Sequence, residues 1–172
     1  MIEREPRPGS PRAQGRASSS DLVIGEELPS TPAARTCLAA YFGELERRFD
    51  EGCDLKSGGP AILDEMTPPR GTFFVARRGA EAVGCVGLKL LTGDTAELKR
   101  MWAAPSARGQ GLAALMLAAA EAKARDLGRT RMVLDTNRAL TEAQAFYRRQ
   151  GYVEIERYND NPYAHHWYEK RL

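Results

Sequence analysis

Apolar and polar positions change period several times along this 172-residue chain, and each change marks an element. Asp21–Leu28 (DLVIGEEL) predicts a short first strand. Ser30-Thr31-Pro32 then supplies an N-cap signal with proline in the first turn. Behind it, Leu38, Tyr41, Phe42, Leu45 and Phe49 fall on one stripe, which predicts a helix running to Asp50. Glu51–Arg70 is rich in Gly, Pro and Asp and predicts a loop, with one helical turn at Ala61–Met66. Loops of that length often carry function, so this one is expected to frame a binding pocket. Gly71–Arg78 and Glu81–Leu91 are strand-like runs joined at Gly79-Ala80, a hairpin-sized gap.

Thr92-Gly93-Asp94 turns the chain into another strand, Glu97–Ala103, which Pro105 stops. From Gly111 onward, Leu112, Leu115, Met116, Ala119 and Leu127 recur at helical spacing on an alanine-rich background, and Gly128 stands at the C-cap. Arg131–Asp135 (RMVLD) predicts a strand parallel to Glu97–Ala103 through a right-handed crossover. Thr141-Glu142-Ala143-Gln144 reads as a capping box opening a helix to Gln150, with Gly151 as its stop. Tyr152–Tyr158 and His165–Leu172 predict the last strands, separated by the turn-forming cluster Asn159–Ala164. The order is strand, helix, three strands, helix, strand, helix, two strands, which predicts a mixed α/β sheet in one domain.

Composition narrows the class. Residues 1–20 carry three Pro, four Ser and four Arg with almost nothing apolar, so they are expected to be a disordered tail ahead of a single domain at 21–172. Four Arg against Glu3 and Glu5 give that tail a charge of +2, the charge of the whole chain, so the body is neutral. A neutral body, and arginines without interleaved aromatics, argue against a nucleic-acid partner. No apolar run approaches the roughly 20 residues that cross a bilayer, and the start lacks the apolar centre of a signal peptide, which predicts a cytoplasmic protein. Cys37, Cys53 and Cys85 form no CxxC pair and are expected to be reduced thiols. His165 and His166 are adjacent on a predicted strand and point to opposite faces, so they do not jointly hold a metal. No GxSxG elbow supports a hydrolase.

The chemistry concentrates at Arg108-Gly109-Gln110-Gly111. A glycine turn feeding a helix start presents unpaired N–H groups and the positive end of the helix dipole, an anion site expected to take a pyrophosphate. No GxxxxGK[ST] string is present, which excludes a Walker A loop. Gly109, Gly111 and Ala114 spell GxGxxA, with Asp135 downstream, as in a dinucleotide fold. Such a fold begins with its glycine strand, whereas three predicted strands and a helix come first here. Arg108, Gly111 and Ala113 also spell RxxGxA, after a strand ending at Trp102-Ala103.

That RxxGxA loop resembles the coenzyme A loop of the GNAT acyltransferases, [QR]xxGx[GA]. Downstream, Ala145–Tyr152 (AFYRRQGY) looks like the family's xLYxxxGF signature. The resemblance covers nearly everything after the tail. It implies a GNAT fold: a mostly antiparallel sheet of about seven strands with helices on both faces, in which the parallel fourth and fifth strands splay apart. It also implies that acetyl-CoA is cosubstrate without a metal, that a small-molecule amine is the acceptor, and that a homodimer is possible by fold analogy alone.

Site residues follow from the same resemblance. Met101, Trp102 and Ala103 would meet the pantetheine arm, through backbone groups of Met101 and Ala103, and the backbone N–H groups of Arg108, Gly109, Gln110, Gly111, Leu112 and Ala113 would hold the pyrophosphate. Acyl transfer to an amine needs a neutral nucleophile, a polarised carbonyl and a proton for the leaving thiolate. Glu97 stands where several members place a general base; the alternative is a strand Glu paired with Lys99 or Arg100. Tyr147 matches the tyrosine that points at the coenzyme sulfur as general acid; otherwise it is a core aromatic. Where many members carry an Asn ahead of this Tyr, the chain has Leu140, and Asn137 is the candidate for that coenzyme contact. Tyr158 or Asn159, with one of the histidines, is expected near the acceptor. The rival function is a catalytically silent acyl-CoA-binding module.

Overall fold

A computed structural model describes residues 21–49 and 63–172. The expected tail, Cys53 and the loop up to residue 62 lie outside the described residues. The strands are β1 (Leu22–Glu26), β2 (Gly71–Arg78), β3 (Glu81–Leu90), β4 (Thr95–Ala103), β5 (Arg131–Thr136), β6 (Val153–Ile155) and β7 (His166–Arg171). The helices are α1 (Pro32–Arg48), α2 (Leu112–Asp126) and α3 (Thr141–Arg149), with a 3-10 turn at Pro105–Ala107 leading into α2. One seven-stranded sheet runs in the order β1-β2-β3-β4-β5-β7-β6. Every neighbouring pair is antiparallel except β4 and β5.

Alternation along the central strands divides the core. Phe73 and Val75 of β2 and Cys85 of β3 face Ala34, Cys37 and Leu38 of α1, together with Met66. Phe74 and Ala76 point the other way, with Val86, Leu88 and Leu98, onto Met116, Leu117, Ala120 and Ala124 of α2. The sheet is therefore covered on both faces, as a layered α/β domain requires. Cys37 and Cys85 are free, buried thiols. Among the described residues no helix is long and apolar enough to cross a membrane.

Caps fix the helix ends. The Thr31 hydroxyl accepts the Ala34 amide at 3.3 Å, and Pro32 opens α1. Gly128 (φ 72°) ends α2 in a paired motif: its N–H bonds the Arg125 carbonyl, and the Arg129 N–H bonds that of Ala124. Gly151 (φ 87°) ends α3 likewise, with the Tyr152 N–H on the Tyr147 carbonyl.

Several boundaries differ from the sequence expectation. β4 begins at Thr95 rather than Glu97, because β5 already pairs with Thr95 and Ala96, and β3 with Ala96. Thr141 is the first helical residue of α3 and not its N-cap; Leu140 holds that position without a side-chain bond. The Gln144 amide, expected to close a capping box, donates instead to the carbonyls of Asn137 and Arg138. β6 stops at Ile155 and does not reach Tyr158. Beyond it the chain leaves the sheet so that Tyr158 and Asn159 can bond polar groups of β4 and β5, and tertiary bonding overrides strand propensity.

Gly71 opens β2 where no side chain fits. A Cβ there would lie 2.1 Å from the Leu88 carbonyl oxygen and 2.4 Å from that of Glu65, backbone atoms that cannot swing aside. Gly71→Ala is expected to lower stability by about 1–3 kcal/mol, seen as a lower urea midpoint at an unchanged slope. An unmoved midpoint would show that the chain repacks freely at this corner.

Candidate active site

The site begins where β4 and β5 part. They pair only at Thr95↔Arg131, Ala96↔Met132 and Glu97↔Val133. β5 continues to Thr136 with β7 as its other neighbour, while β4 runs on to Ala103 against β3 alone. A bulge lies just past the parting. Cys85↔Trp102 and Gly87↔Lys99 are both in register, so β4 spends one more residue than β3 between them. Arg100 takes up the excess at φ 53°, the only positive φ outside glycine among the described residues. Bulges bend and twist their strand, and this one carries β4 away from β5.

The bulge also shifts which residues share a face. Arg100 lies over the Tyr41 and Phe42 rings of α1, at 5.9 and 5.1 Å, and so does not oppose Lys99 as plain alternation would require. Met101 turns toward α3, its sulfur 3.6 Å from the Tyr147 hydroxyl. The parted strands enclose a cavity of about 510 Å³. Met101, Trp102 and Ala103 form one wall, Arg108, Gly109, Gly111, Leu112 and Ala113 another, and Tyr147 with Leu140 a third. Tyr41, Glu44 and Arg48 reach in from α1, so the opening passes through the sheet from one face to the other.

The loop at the cavity mouth has the dihedrals its glycines permit. Gly109 (φ 72°) and Gly111 (φ 80°) are left-handed, and nothing lies within 4 Å of either would-be Cβ, so conformation and not crowding requires glycine. Leu115 is the first amide of α2 to bond within the helix, to the Gly111 carbonyl. Gly111 offers no capping side chain, and Leu112 to Ala114, whose amides come before the first intrahelical bond, line the cavity. Polar donors and a helix dipole directed at one space suit a pyrophosphate.

Two residues of the expected loop use their side chains to fasten it. Gln110 does not line the cavity; its amide accepts from Arg78 at 2.5 Å and donates to the Ser106 carbonyl at 2.9 Å, fastening the loop. Arg108 donates to the Ala103 carbonyl at 3.0 Å and to Glu44 at 2.5 Å. Glu44 also accepts the Trp102 indole N–H at 3.0 Å. Burial pushes the Glu44 carboxyl up, but the bonds from Arg108 and Trp102 and the charges of Arg108 and Arg48 outweigh it, and its pKa lies below the usual carboxylate value. Sequence reasoning missed Glu44 and Arg48. Their one signal was helical spacing from Tyr41, which places all three on one side of α1.

Tyr147 is buried against the Tyr152 and Tyr168 rings, 5.8 and 6.5 Å between centroids. Burial pushes its pKa well above the ordinary phenol, so it holds its proton throughout the physiological range. Glu97 does not line this cavity. Its Oε1 accepts from Lys99 (3.0 Å), the Tyr158 hydroxyl (2.9 Å) and the Asn159 amide (3.2 Å), while Oε2 takes no bond among the described residues. Asp135 joins the cluster through Asn159 (2.6 Å) and Asn161 (3.0 Å), with Lys99 at 3.8 Å. The Glu97–Lys99 pairing named as the alternative is thus present, within a shared polar cluster on the α1 face.

Asn137 is not on the cavity wall. Its oxygen accepts from the Ala139 N–H at 2.8 Å within the turn before α3, and its amide donates to the Tyr163 carbonyl at 2.7 Å, tying that turn to the segment before β7. His166 bonds Glu154 at 2.6 Å. No group of three His, Cys, Asp or Glu side chains suited to a metal occurs among the described residues.

Residues 39–152 match the Acetyltransferase (GNAT) family. The uncharacterized N-acetyltransferase YjgM of Escherichia coli (strain K12) is 36% identical over 147 residues, covering 81% of this chain and 86% of that protein. The IAA acetyltransferase of Azospirillum brasilense is 32% identical over 135 residues, covering 78% and 86%. A GNAT family acetyltransferase from Elizabethkingia anophelis, solved with acetyl-CoA bound, shares the fold at a TM-score of 0.64 and 17% identity, covering 89% of this chain and 99% of that one.

Glu44 gives the cavity wall a pH dependence of known sign. A carboxyl whose pKa is depressed on folding stabilises the native state above its unfolded value of 4.5, and that contribution disappears as pH falls through the folded value. Wild type is therefore expected to show a higher urea midpoint than Glu44→Gln at neutral pH, with the gap closing below the ordinary carboxylate range. A gap independent of pH would show that the ion pair contributes nothing.

Proposed function

This chain belongs to the GNAT acetyltransferase family, and from that premise we propose that it moves the acetyl group of acetyl-CoA directly onto the primary amine of a small molecule, with both substrates bound at once. The observation that carries the reading is the opening beside Met101, with a protonated phenol 3.6 Å from the Met101 sulfur. In this proposal the edge of β4 at Met101–Ala103, which has no strand beside it, takes the pantetheine amides, as a neighbouring strand otherwise would. The amides from Arg108 to Ala113 take the pyrophosphate.

The reacting groups then have distinct roles. The amine nitrogen forms a bond to the thioester carbonyl carbon, and the carbon–sulfur bond breaks as the tetrahedral species collapses. Tyr147 gives its proton to the departing thiolate. Glu97 receives the proton lost by the amine, through water, by way of Oε2. Tyr158 and Asn159 hold the carboxylate from the other side.

Acetyl-CoA and a panel of small amines are expected to release free thiol. Tyr147→Phe and Glu97→Gln should each slow turnover by about a hundredfold. Both variants should still bind coenzyme, as measured by calorimetry. Tight coenzyme binding with only background hydrolysis for every amine would make the chain a silent acyl-CoA-binding module and overturn the proposal.

A further inference from the structure

Arg100 has a combination of properties that the reaction as proposed does not use. It occupies a left-handed backbone conformation that favours glycine, at the bulge that opens the site. Its guanidinium lies over Tyr41 and Phe42, and Tyr41 is itself part of the cavity wall. It makes no salt bridge with any described carboxylate, while its neighbour Lys99 bridges Glu97 and Asp135. Its Nε is shielded from water and has no hydrogen-bond partner among the described residues. A buried donor left unbonded is costly, and stacking on two rings requires neither that cost nor a strained backbone.

Resting on the acetyl-transfer reading, we infer that Arg100 anchors a carboxylate of the amine acceptor, so that the substrates are amino acids or similarly zwitterionic amines. The fork of a guanidinium matches a planar carboxylate and would satisfy the open Nε. The opposite charge is provided nearby: Glu97 and Asp135 share a single lysine, which suits the substrate's ammonium end before it loses its proton. A phosphate would bring a second negative charge beside those two carboxylates, which disfavours it against a carboxylate. Strain held at Arg100 then has a use, because the bulge aims this side chain where plain strand alternation would not.

Matched pairs test the inference: amino acids and their carboxamides, identical but for the acid group, compared by kcat/KM in the thiol-release assay. Wild type is expected to favour the acid by about tenfold or more, the value of a charge-assisted bidentate contact. Arg100→Gln should bring the ratio to about one, with the loss falling on the acid and coenzyme affinity unchanged; Arg100→Lys should fall between. Arg100→Gly should lose the preference while unfolding at the same or a higher urea concentration, since glycine suits the backbone there. Equal use of acid and amide by wild type, or a preference that survives in Arg100→Gln, overturns the anchor and leaves the acetyltransferase standing. Failure of both series while other small amines release thiol also overturns the anchor alone, and failure of every amine to release thiol overturns the wider reading and the anchor with it.

Discussion

Backbone hydrogen bonding along β4 is the constraint from which the site follows. Past Glu97 the strand has β3 on one side and no strand on the other, so a row of N–H and C=O groups is left to be satisfied. Leaving such a group buried and unpaired costs about 1–3 kcal/mol, so the fold keeps this edge open to a cavity and does not pack it shut. The bulge at Arg100 prevents the simple remedy of zipping β4 to β5 along their full length. The same device therefore opens the cleft and supplies the donors and acceptors that line it.

Because the gap lies within the sheet and not on its surface, it joins two chemically different faces. On the α2 side are the glycine loop, the first amides of the helix and the Tyr147 phenol, all suited to a long anionic carrier and to a leaving group that needs a proton. On the α1 side are Glu97, Lys99, Asp135, Tyr158 and Asn159, a hydrogen-bonded cluster of charge suited to a small polar molecule. Tyr41, Glu44 and Arg48 of α1 line the same cavity as Leu112 and Ala113 of α2. Glu44 ties this passage together, since Arg108 of the loop and Trp102 of β4 both bond its carboxylate.

The sequence by itself determined the elements, their order, the parallel pair and the glycine turn. Those depend on neighbours in the chain: apolar period, proline and glycine dihedrals, and caps such as Thr31. It also singled out Met101–Ala103 and Tyr147, which do meet at one cavity. What only the tertiary structure decided is where side chains find partners. Asn137 bonds its own turn with its oxygen and the distant Tyr163 carbonyl with its amide, Gln110 fastens the loop to Arg78, and Glu97 bonds Tyr158 and Asn159 from a segment that local pattern assigned to a strand and its turn. Glu44 carried only the helical spacing that it shares with Tyr41, since its partners Arg108 and Trp102 lie on other elements, and the bulge at Arg100 arises from register between β3 and β4. Register is fixed by packing over the whole sheet, and no short window of sequence contains it.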